Sequence, residues 1–524
     1  MALPFDPAEV AARWRDDRRY RADLSAPNLR YHLAEFPYPS ADGLHVGHVF
    51  KYGGLDVYSR YWRMRGYEVF QPIGFDSFGI HTENFALRIG EHPARVTERT
   101  IANFRRQLSS VGIGWDWSRA VTTSDPAYYR WTQWVFVRLF RAGLAYQAEA
   151  PVIWCPSCLT VLAREQVDGE RCERCDAVVE ERVMRQWFLR TTGYAPRLYA
   201  GLELVDWPEK AKNRQRRWID QLRDWLISRQ RYWGPPIPIV HCGRCGPVPV
   251  PEDQLPVLLP EVEDFRPTGT GVSPLAAVEA WVCTTCPACG GPARRETDVS
   301  DTFLDSAWYF LRYPCSDLED RAWDPARVRP ADFLAGGPEH VTRHHLYARF
   351  VTMAMHDEGL VPFEEPFPSM RLGGLLNHDG MKMSKSRGNV VSPDDYVGAH
   401  GSDVLRMALL FSGRWEEGGD FTDAAAVGIE RFLGRVWRRA VDGSPAGEVD
   451  SPVIDVVGRA YDTMRLNVAI ARLMETWQRL DARTLVLLLA PLAPDVTAEL
   501  WHRLGGAGNV HDQPWPALQR TRHG

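Results

Sequence analysis

Residues 30–64 read RYHLAEFPYPSADGLHVGHVFKYGGLDVYSRYWRM, and this stretch decides the fold class. Residues 30–36 alternate in polarity like a β-strand, the prolines and glycine that follow interrupt the pattern, and residues 46–64 are helical in character. A second unit has the same order, with a buried strand at 67–73 and a helix that begins near Asn84. Two such units predict an α/β fold with a doubly wound parallel sheet, whose ligands bind beyond the carboxyl ends of the strands.

The overall composition is that of a globular protein of several domains. The 524 residues are 45% hydrophobic and 25% charged, which excludes disordered and fibrous classes, and a net charge of -5 provides no overall positive field for nucleic acid. No apolar run approaches the roughly 18 residues of a membrane span, and the first residues, MALPFDPAEVAARWRDD, do not form a signal peptide. We expect a soluble, cytoplasmic, monomeric protein without a membrane partner.

Changes in composition divide the chain into six segments. Cysteine, proline and short strands mark two inserted ribbons, and the chain after residue 423 is helical. Helical spacing is expected at 215–232, from Gly336 through Phe350, and in the tail at 429–441, 453–480 and 484–504. The predicted segments are the first half of the sheet domain at 1–150, ribbon 1 at 151–186, a connective segment at 187–239, ribbon 2 at 240–300, the second half of the sheet domain at 301–422, and a helical bundle at 423–524.

The segment His45-Val46-Gly47-His48 lies between the first predicted strand and its helix. Two imidazoles three residues apart at a helix N-terminus, with a glycine that permits close approach of the backbone, form a donor site for phosphate oxygens. The alternative is a loop with two solvated histidines. The position after a strand favours the phosphate site.

A second candidate site is GMKMSKSRGN at 380–389, which contains Lys382 and Lys385. The chain has five lysines against 57 arginines, and two of the five lie here. An ammonium on a flexible stem acts as a movable point charge, so this loop is suited to close over a triphosphate and offset charge on leaving pyrophosphate. The alternative is an exposed, solvated loop. No Walker A sequence occurs, so nucleotide binding depends on these two segments.

Eight of the ten cysteines form C-x-x-C pairs, which in a reducing compartment indicate metal. Their spacing predicts two structural Zn²⁺ sites, each closed by four thiolates, with free thiols as the alternative. In the second set Cys283 is a competing ligand. The predicted ligands are Cys155, Cys158, Cys172 and Cys175 in ribbon 1, and Cys242, Cys245, Cys286 and Cys289 in ribbon 2.

Together the two loops resemble the signature motifs of class I aminoacyl-tRNA synthetases, with Val46 where the first motif usually has Ile. Four further segments make the chain similar to leucyl-tRNA synthetases from about residue 10 to about 515. This resemblance implies a Rossmann-like catalytic domain, zinc-ribbon-like modules and a C-terminal bundle of the anticodon-binding type. The four segments are FPYPS at 36–40, GFDSFG at 74–79, DWLISRQRYWG at 224–234 and DTFLDS at 301–306.

The resemblance also implies an activity, namely ATP-dependent activation of leucine, or a similar apolar amino acid, followed by transfer to tRNA. Mg²⁺ would accompany the ATP. The residues themselves also permit structural roles instead of binding roles. Asp76 could be a helix cap, His344 a satisfied core histidine, and Phe36 and Tyr38 ordinary core residues. The implied roles are catalysis by His45, His48, Lys382 and Lys385; ATP binding by His45, Gly47, His48, Gly337, Glu339 and Lys385; and amino-acid binding by Phe36, Tyr38, Asp76 and His344.

The chain departs from the family at several points. From the resemblance we expect no editing domain, which interrupts most relatives after the residues matching Trp218-Ile219, and no small RNA-binding domain of the bacterial type after Arg520. We therefore expect no post-transfer editing and fewer contacts to tRNA. Thr342, Arg343 and His345 are polar where the family pattern is apolar. The alternatives are adenylation without tRNA, with transfer to a carrier protein or small nucleophile, and a catalytically silent binding protein.

Overall fold

The computed structural model describes residues 3–40, 43–383, 390–442 and 451–516. The amino-terminal part alternates short strands with longer helices, as the repeated unit predicts. Its elements are α1 (Pro7–Trp14), β1 (Leu29–Ala34), α2 (Val46–Met64), β2 (Glu68–Phe70), β3 (Pro72–Phe75), α3 (Ile80–Ile89), α4 (Pro93–Ser110), β4 (Asp116–Thr122) and α5 (Pro126–Arg141).

The middle of the chain forms two antiparallel modules joined by a short helical segment. The elements of ribbon 1 are β5 (Ala145–Cys155), β6 (Thr160–Leu162), β7 (Val167–Asp168), β8 (Arg171–Cys172) and β9 (Glu180–Leu189). The joining segment contains α6 (Ala195–Gly201), α7 (Glu209–Ile219), β10 (Trp225–Leu226) and β11 (Ser228–Arg229). Ribbon 2 follows with β12 (Ile239–Cys242), β13 (Gly246–Pro249), α8 (Glu279–Val282), β14 (Cys283–Thr285), β15 (Pro292–Arg295) and β16 (Val299–Ser300).

The remaining part returns to mixed α/β structure and ends in helices. Its first elements are α9 (Thr302–Asp305), α10 (Tyr309–Arg312), β17 (Phe333–Gly336), α11 (His344–Asp357), β18 (Met370–Leu372), β19 (Leu376–His378), β20 (Met381–Lys382), α12 (Pro393–His400), α13 (Ser402–Phe411) and β21 (Gly419–Phe421). The tail consists of α14 (Asp423–Val441), α15 (Ser451–Asp462), α16 (Leu466–Thr476), α17 (Ala482–Leu489) and α18 (Pro494–Arg503).

A four-stranded parallel sheet in the order β18-β17-β1-β2 forms the centre of the molecule. In its register His32 lies opposite Phe333, and Arg30 lies opposite Val69. Strands β3 and β4 form a second parallel pair. Parallel strands that are far apart in sequence require crossover connections, so the predicted α/β, doubly wound fold is confirmed.

Helix α2 shows why the opening stretch folds as it does. His45 is its N-cap, and the apolar side chains of Val49, Phe50 and Leu55 are fully buried. Gly54 has a packing role, because a side chain there would lie 2.1 Å from the Trp415 ring nitrogen, which donates to the Phe50 carbonyl at 3.2 Å. The helix is thereby fixed against the sheet with its first turn at the strand ends.

Five predicted elements differ from the structure. The strand expected at 67–73 is interrupted at Gln71, and the helix expected from Gly336 begins only at His344, after a single turn at Pro338–His340. The helix expected at 215–232 ends at Ile219, because Trp225 enters a strand and stacks on Tyr347 with ring centroids 3.8 Å apart. The helix expected at 453–480 is two helices, α15 and α16, separated at residues 463–465, and the helix expected at 484–504 is also two, α17 and α18, separated at residues 490–493. Among the described helices, none combines the length and apolarity of a membrane span.

Candidate active site and metal centres

A cleft of about 420 Å³ opens beyond the carboxyl ends of β1 and β17. Its walls contain residues from the loop before α2, the start of α3, ribbon 1 and the segment after β17. The position agrees with the expectation for a doubly wound sheet. Of the predicted site residues, the cleft is lined by Phe36, Tyr38, His45, His48 and Glu339.

His45 and His48 form one end of the cleft, at the first turn of α2. His45 Nδ1 accepts the Gly47 backbone N–H at 3.1 Å, and His48 Nδ1 accepts the His45 N–H at 3.3 Å. Their rings are 4.0 Å apart between centroids. Because Nδ1 accepts in both rings, each neutral imidazole carries its proton on Nε2 as a donor. The pair is therefore suited to donate to phosphate oxygens at a helix N-terminus.

Gly47 is required by the same geometry, since a Cβ there would lie 2.8 Å from the His45 ring. That Cβ would also lie 3.7 Å from the Met383 methyl group, and the Val46 N–H donates to the Val391 carbonyl at 3.0 Å. The residues that flank the lysine loop (residues 384–389), Met383 on one side and Val391 on the other, thus lie next to the segment His45–His48. Lys385 lies outside the described residues, and of Lys382 only the backbone, in β20, is described.

Glu339 and Gly337 lie in the segment after β17. Lys51, one turn after His48, contacts Glu339 Oε1 at 3.2 Å. Burial alone would raise the pKa of Glu339, but the Lys51 ammonium and the His340 imidazole together outweigh it, so that pKa is lowered. Gly337 has no room for a side chain, because a Cβ would lie 2.6 Å from Glu339 Oε1. Lys51 was not predicted as a site residue, although it is one of only five lysines.

Asp76 lies directly after β3, next to Tyr38, which lines the cleft. It is completely buried, and Oδ1 accepts the Thr123 hydroxyl at 3.2 Å, while Oδ2 has no hydrogen-bond partner in the described part of the chain. Burial raises the pKa of Asp76 well above its usual value, although the nearby Thr123 and Tyr38 hydroxyls offset part of the effect. The cap of α3 is Gly79, without a side-chain bond, so the helix-cap interpretation of Asp76 is wrong.

Phe36 and His344 belong to an aromatic wall. Phe36 stacks on Tyr309 with ring centroids 4.3 Å apart, and the Tyr309 ring lies 5.4 Å from the His344 ring. His344 is 2% exposed, and burial lowers its pKa well below the usual value, so the ring is neutral. Its Nε2 atom has no hydrogen-bond partner among the described residues, so His344 is not a satisfied core histidine.

Glu35 was missed by the sequence interpretation, although it directly precedes Phe36. Its Oε2 accepts the Gly337 N–H at 2.9 Å, and its Oε1 lies 2.7 Å from His345 Nε2. Burial alone would raise the pKa of Glu35, but the imidazoles of His340 and His345 outweigh it and hold this pKa far below its usual value. The signal in the sequence was an acid among apolar strand residues together with the His344-His345 pair.

The four thiols of Cys155, Cys158, Cys172 and Cys175 meet at the tip of ribbon 1. Their sulfurs lie within 4.8 Å of one another, with 3.4 Å between Cys155 and Cys175 and 3.9 Å between Cys158 and Cys172. Tetrahedral Zn²⁺ with Zn–S distances near 2.3 Å sets its sulfurs about 3.8 Å apart. The four thiols therefore fit a closed, structural Zn²⁺ site.

Ribbon 2 brings together Cys242, Cys245, Cys286 and Cys289, whose sulfurs also lie within 4.8 Å of one another. The competing Cys283 is not part of this group and instead donates to Glu279 Oε2 at 3.2 Å. These four thiols also fit Zn²⁺.

Glu173 and Arg174 of ribbon 1 line the cleft, as do Val299 and Ser300 at the end of ribbon 2, and the lining contains none of the eight cysteines. Glu173, the residue after Cys172, pairs with Arg343 at 2.6 Å, and both line the cleft. A metal ion that orders the cysteines of ribbon 1 would therefore also help to position the Glu173–Arg343 pair in the wall of the cleft.

Comparison with known proteins agrees with this geometry. The family model of tRNA synthetases class I (I, L, M and V) matches residues 9–418, and that of the anticodon-binding domain of tRNA ligase matches residues 482–523. The chain belongs to the class I tRNA synthetases. Curated relatives named leucine–tRNA ligase, from Caldanaerobacter subterraneus subsp. tengcongensis and Clostridium tetani, are each 33% identical over 96% of this chain and 89% of theirs. Within the class, the chain is therefore a member of the leucine–tRNA ligase family.

Solved structures show the same relationship. The chain matches the Agrobacterium radiobacter K84 agnB2 LeuRS, solved as a ternary complex with tRNA and LeuAMS, at a TM-score of 0.92 and 30% identity over 98% of this chain and 90% of that one. The Mycobacterium tuberculosis methionyl-tRNA synthetase in complex with methionyl-adenylate matches at a TM-score of 0.67 and 19% sequence identity, over 92% of this chain and 94% of that one. This match shows a shared fold.

Proposed function

We propose that this protein activates leucine with ATP and transfers the leucyl group to tRNA(Leu), without post-transfer editing. One observation carries the proposal most directly: paired imidazole donors line a cleft, and a buried carboxylate with an unpartnered oxygen lies behind Tyr38, another residue of the same lining. An aminoacyl-adenylate has a phosphate and an α-ammonium that require those two groups.

In the first step a carboxylate oxygen of leucine bonds to the α-phosphorus of ATP, and the bond from that phosphorus to pyrophosphate breaks. Positioning and charge stabilisation, rather than a protein nucleophile, suffice for such a transfer. His45 and His48 would donate to phosphate oxygens, and Lys382 and Lys385 would offset charge on the leaving pyrophosphate. Glu339 would accept a ribose hydroxyl. Mg²⁺ would be held mainly by the phosphates, as this ion keeps much of its water shell.

Asp76 would bind the α-ammonium in the same complex. A charge-assisted hydrogen bond to a buried carboxylate is about twice as strong as a neutral one, and Oδ2 is the atom that remains to make it. Phe36 and Tyr38 would hold the carbon skeleton. In the second step a terminal ribose hydroxyl of tRNA attacks the leucyl carbonyl carbon, AMP leaves, and the hydroxyl proton passes to solvent.

The proposal of no editing rests on the short connection between α7 and β10. The backbone turns within residues 220–224, and Asp224 fixes the turn by accepting the Tyr146 hydroxyl at 2.8 Å and the Thr192 hydroxyl at 2.7 Å. The alignment with the Caldanaerobacter relative spans 732 positions, whereas this chain has 524 residues. The relative therefore contains segments that have no counterpart in this chain. One methylene in an apolar pocket discriminates by only about 1–3 kcal/mol, so isoleucine and norvaline should be misactivated.

The helical tail supplies a candidate tRNA surface on α14. Arg431, Arg435 and Arg438 are exposed on one face of this helix, whereas Arg439 donates to backbone carbonyls at Gln478 and Leu480. Arg229 and Arg231 are buried against Asp301 and Glu83. Phosphate contacts would therefore come mainly from α14.

Leucine-dependent ATP–pyrophosphate exchange tests the activation step. We expect exchange with leucine that Lys385→Ala abolishes and that Lys210→Ala, a change of an exposed lysine on α7, leaves intact. Survival of exchange in Lys385→Ala would remove the role of the lysine loop. Addition of total tRNA should then yield leucyl-tRNA; exchange without charged tRNA would favour transfer to a carrier protein or small nucleophile.

Preformed isoleucyl-tRNA(Leu) and norvalyl-tRNA(Leu) test the editing proposal. With the protein present, both should decay at the rate of spontaneous hydrolysis. Accelerated deacylation would show that another part of the chain edits.

A further inference from the structure

A cluster of polar side chains lies beside the aromatic wall of the cleft, where a purely apolar substrate would need an apolar pocket. The cluster consists of Glu35, His340, His344 and His345. Glu35 bridges two of the imidazoles, with 2.7 Å from Oε1 to His345 Nε2 and 3.8 Å from Oε2 to His340 Nε2. The His344 ring lies 5.9 Å from that of His340 and 5.4 Å from that of His345.

Tyr38 connects this cluster to the ammonium-binding end. Its hydroxyl interacts with Asp76, while its ring is parallel to the His340 ring at 6.5 Å between centroids. Tyr38 is therefore a neighbour of both Asp76 and His340. Glu35 and His340 both line the cleft, so a substrate side chain beside Tyr38 would meet polar atoms directly.

Three nitrogen atoms of the cluster lack partners. His340 Nδ1, His344 Nε2 and His345 Nδ1 are all buried, and none has a hydrogen bond within residues 3–40, 43–383, 390–442 and 451–516. Leaving a buried polar atom without a partner is costly, and the methyl groups of leucine cannot supply one. A substrate with a polar side chain would meet this need.

The charge of the cluster indicates which kind of polar group a substrate side chain would carry. The Glu35 carboxylate already has an imidazole partner and a backbone N–H, so a second full positive charge is not required. A hydroxyl can donate to one ring nitrogen or carboxylate oxygen and accept from another. The aromatic wall of Phe36 and Tyr309 would continue to hold a branched carbon skeleton.

We propose that the amino-acid pocket selects leucine-sized substrates that carry a hydroxyl on the γ- or δ-carbon in preference to leucine itself, through Glu35 and His340, the two members of the cluster that line the cleft. This inference rests on the adenylation function proposed above and narrows its substrate class. His345 is a positioning residue here, since it acts through Glu35. A site built to hydrogen-bond a substrate hydroxyl rejects the analogue that lacks it far better than an apolar pocket rejects an added hydroxyl.

The test compares kcat/KM for ATP–pyrophosphate exchange with γ-hydroxyleucine, δ-hydroxyleucine and leucine. The wild-type protein should favour one of the hydroxylated substrates by roughly tenfold or more. The double variant Glu35→Met, His345→Leu replaces the polar pair by apolar side chains of similar size and should reverse this preference. The ratio of two substrates measured on one preparation does not depend on the fraction of folded protein. Arg197→Gln, which breaks an exposed pair with Asp357, is the control and should leave the ratio unchanged.

Two outcomes would overturn the inference. If the wild-type protein prefers leucine and the double variant leaves the ratio unchanged, the polar selection is wrong while the adenylation function stands. If no amino acid supports exchange, both the inference and the proposed function are wrong.

Discussion

The two ends of the cleft are built in different ways. The proposed phosphate end consists of neighbouring residues, His45 to His48 at the first turn of α2, and its two histidine side chains are only half-buried. The amino-acid end combines Asp76, Thr123, Glu35 and His344 from four distant segments, and both Asp76 and His344 are fully buried. A large anion such as a triphosphate can be held by adjustable donors near the surface. The small ammonium group and the side chain of an amino acid need fixed partners away from water.

The largest effect should follow from changing the buried end. Asp76→Asn removes the charge that pairs with the substrate ammonium, and losing one partner of a buried charge pair costs about 2–5 kcal/mol. We expect kcat/KM for the amino acid to fall by roughly 10³-fold in exchange assays, with the KM for ATP little changed. If the KM for ATP increased by a comparable factor, the division of the cleft into two ends would be contradicted.

A smaller effect is expected at the phosphate end. His48→Ala removes one donor to the transferring phosphate, which typically costs about 10²-fold in kcat. The KM for the amino acid should stay the same, and His502→Gln, at an exposed position of α18, should be silent. If His48→Ala instead raised the amino-acid KM, the imidazoles would not belong to the phosphate end.

The same contrast explains how much the sequence could predict. The range of α2 follows from a local cap and local apolar spacing, and His45, Gly47 and His48 form one short motif. The Glu35–His345 pair joins residues 310 positions apart, which no local pattern reveals. The predicted helix at 215–232 was wrong for a related reason, because the contact of Trp225 with Tyr347 overrides its helical spacing.

The ribbons provide a third, intermediate test. Cys172→Ser should weaken Zn²⁺ binding in ribbon 1 and displace the neighbouring Glu173 from Arg343, lowering kcat/KM on the order of tenfold. Cys245→Ser should lose one equivalent of Zn²⁺ from ribbon 2 without changing kcat/KM. Metal content and exchange rates measured on both variants check this. Equal kinetic losses would show that ribbon 1 has no special connection to the cleft.

The smallest effect concerns pH. Burial raises the pKa of Asp76, so the carboxylate is protonated, and unable to pair with an ammonium, at pH values where an ordinary aspartate is ionised. The kcat/KM for the amino acid should therefore increase with pH above about pH 4, by at most tenfold per unit, until the raised pKa is passed. The residual activity of Asp76→Asn should lack this rise. The same rise in the variant would assign it to another group.

The most direct test of the account is a crystal structure with a non-hydrolysable leucyl-adenylate analogue. The account predicts one ligand that spans the cleft, with the phosphate mimic about 3 Å from His45 and His48 Nε2 and the α-ammonium on Asp76 Oδ2. An analogue that binds elsewhere, or that contacts the imidazoles while its ammonium lies away from Asp76, would contradict it.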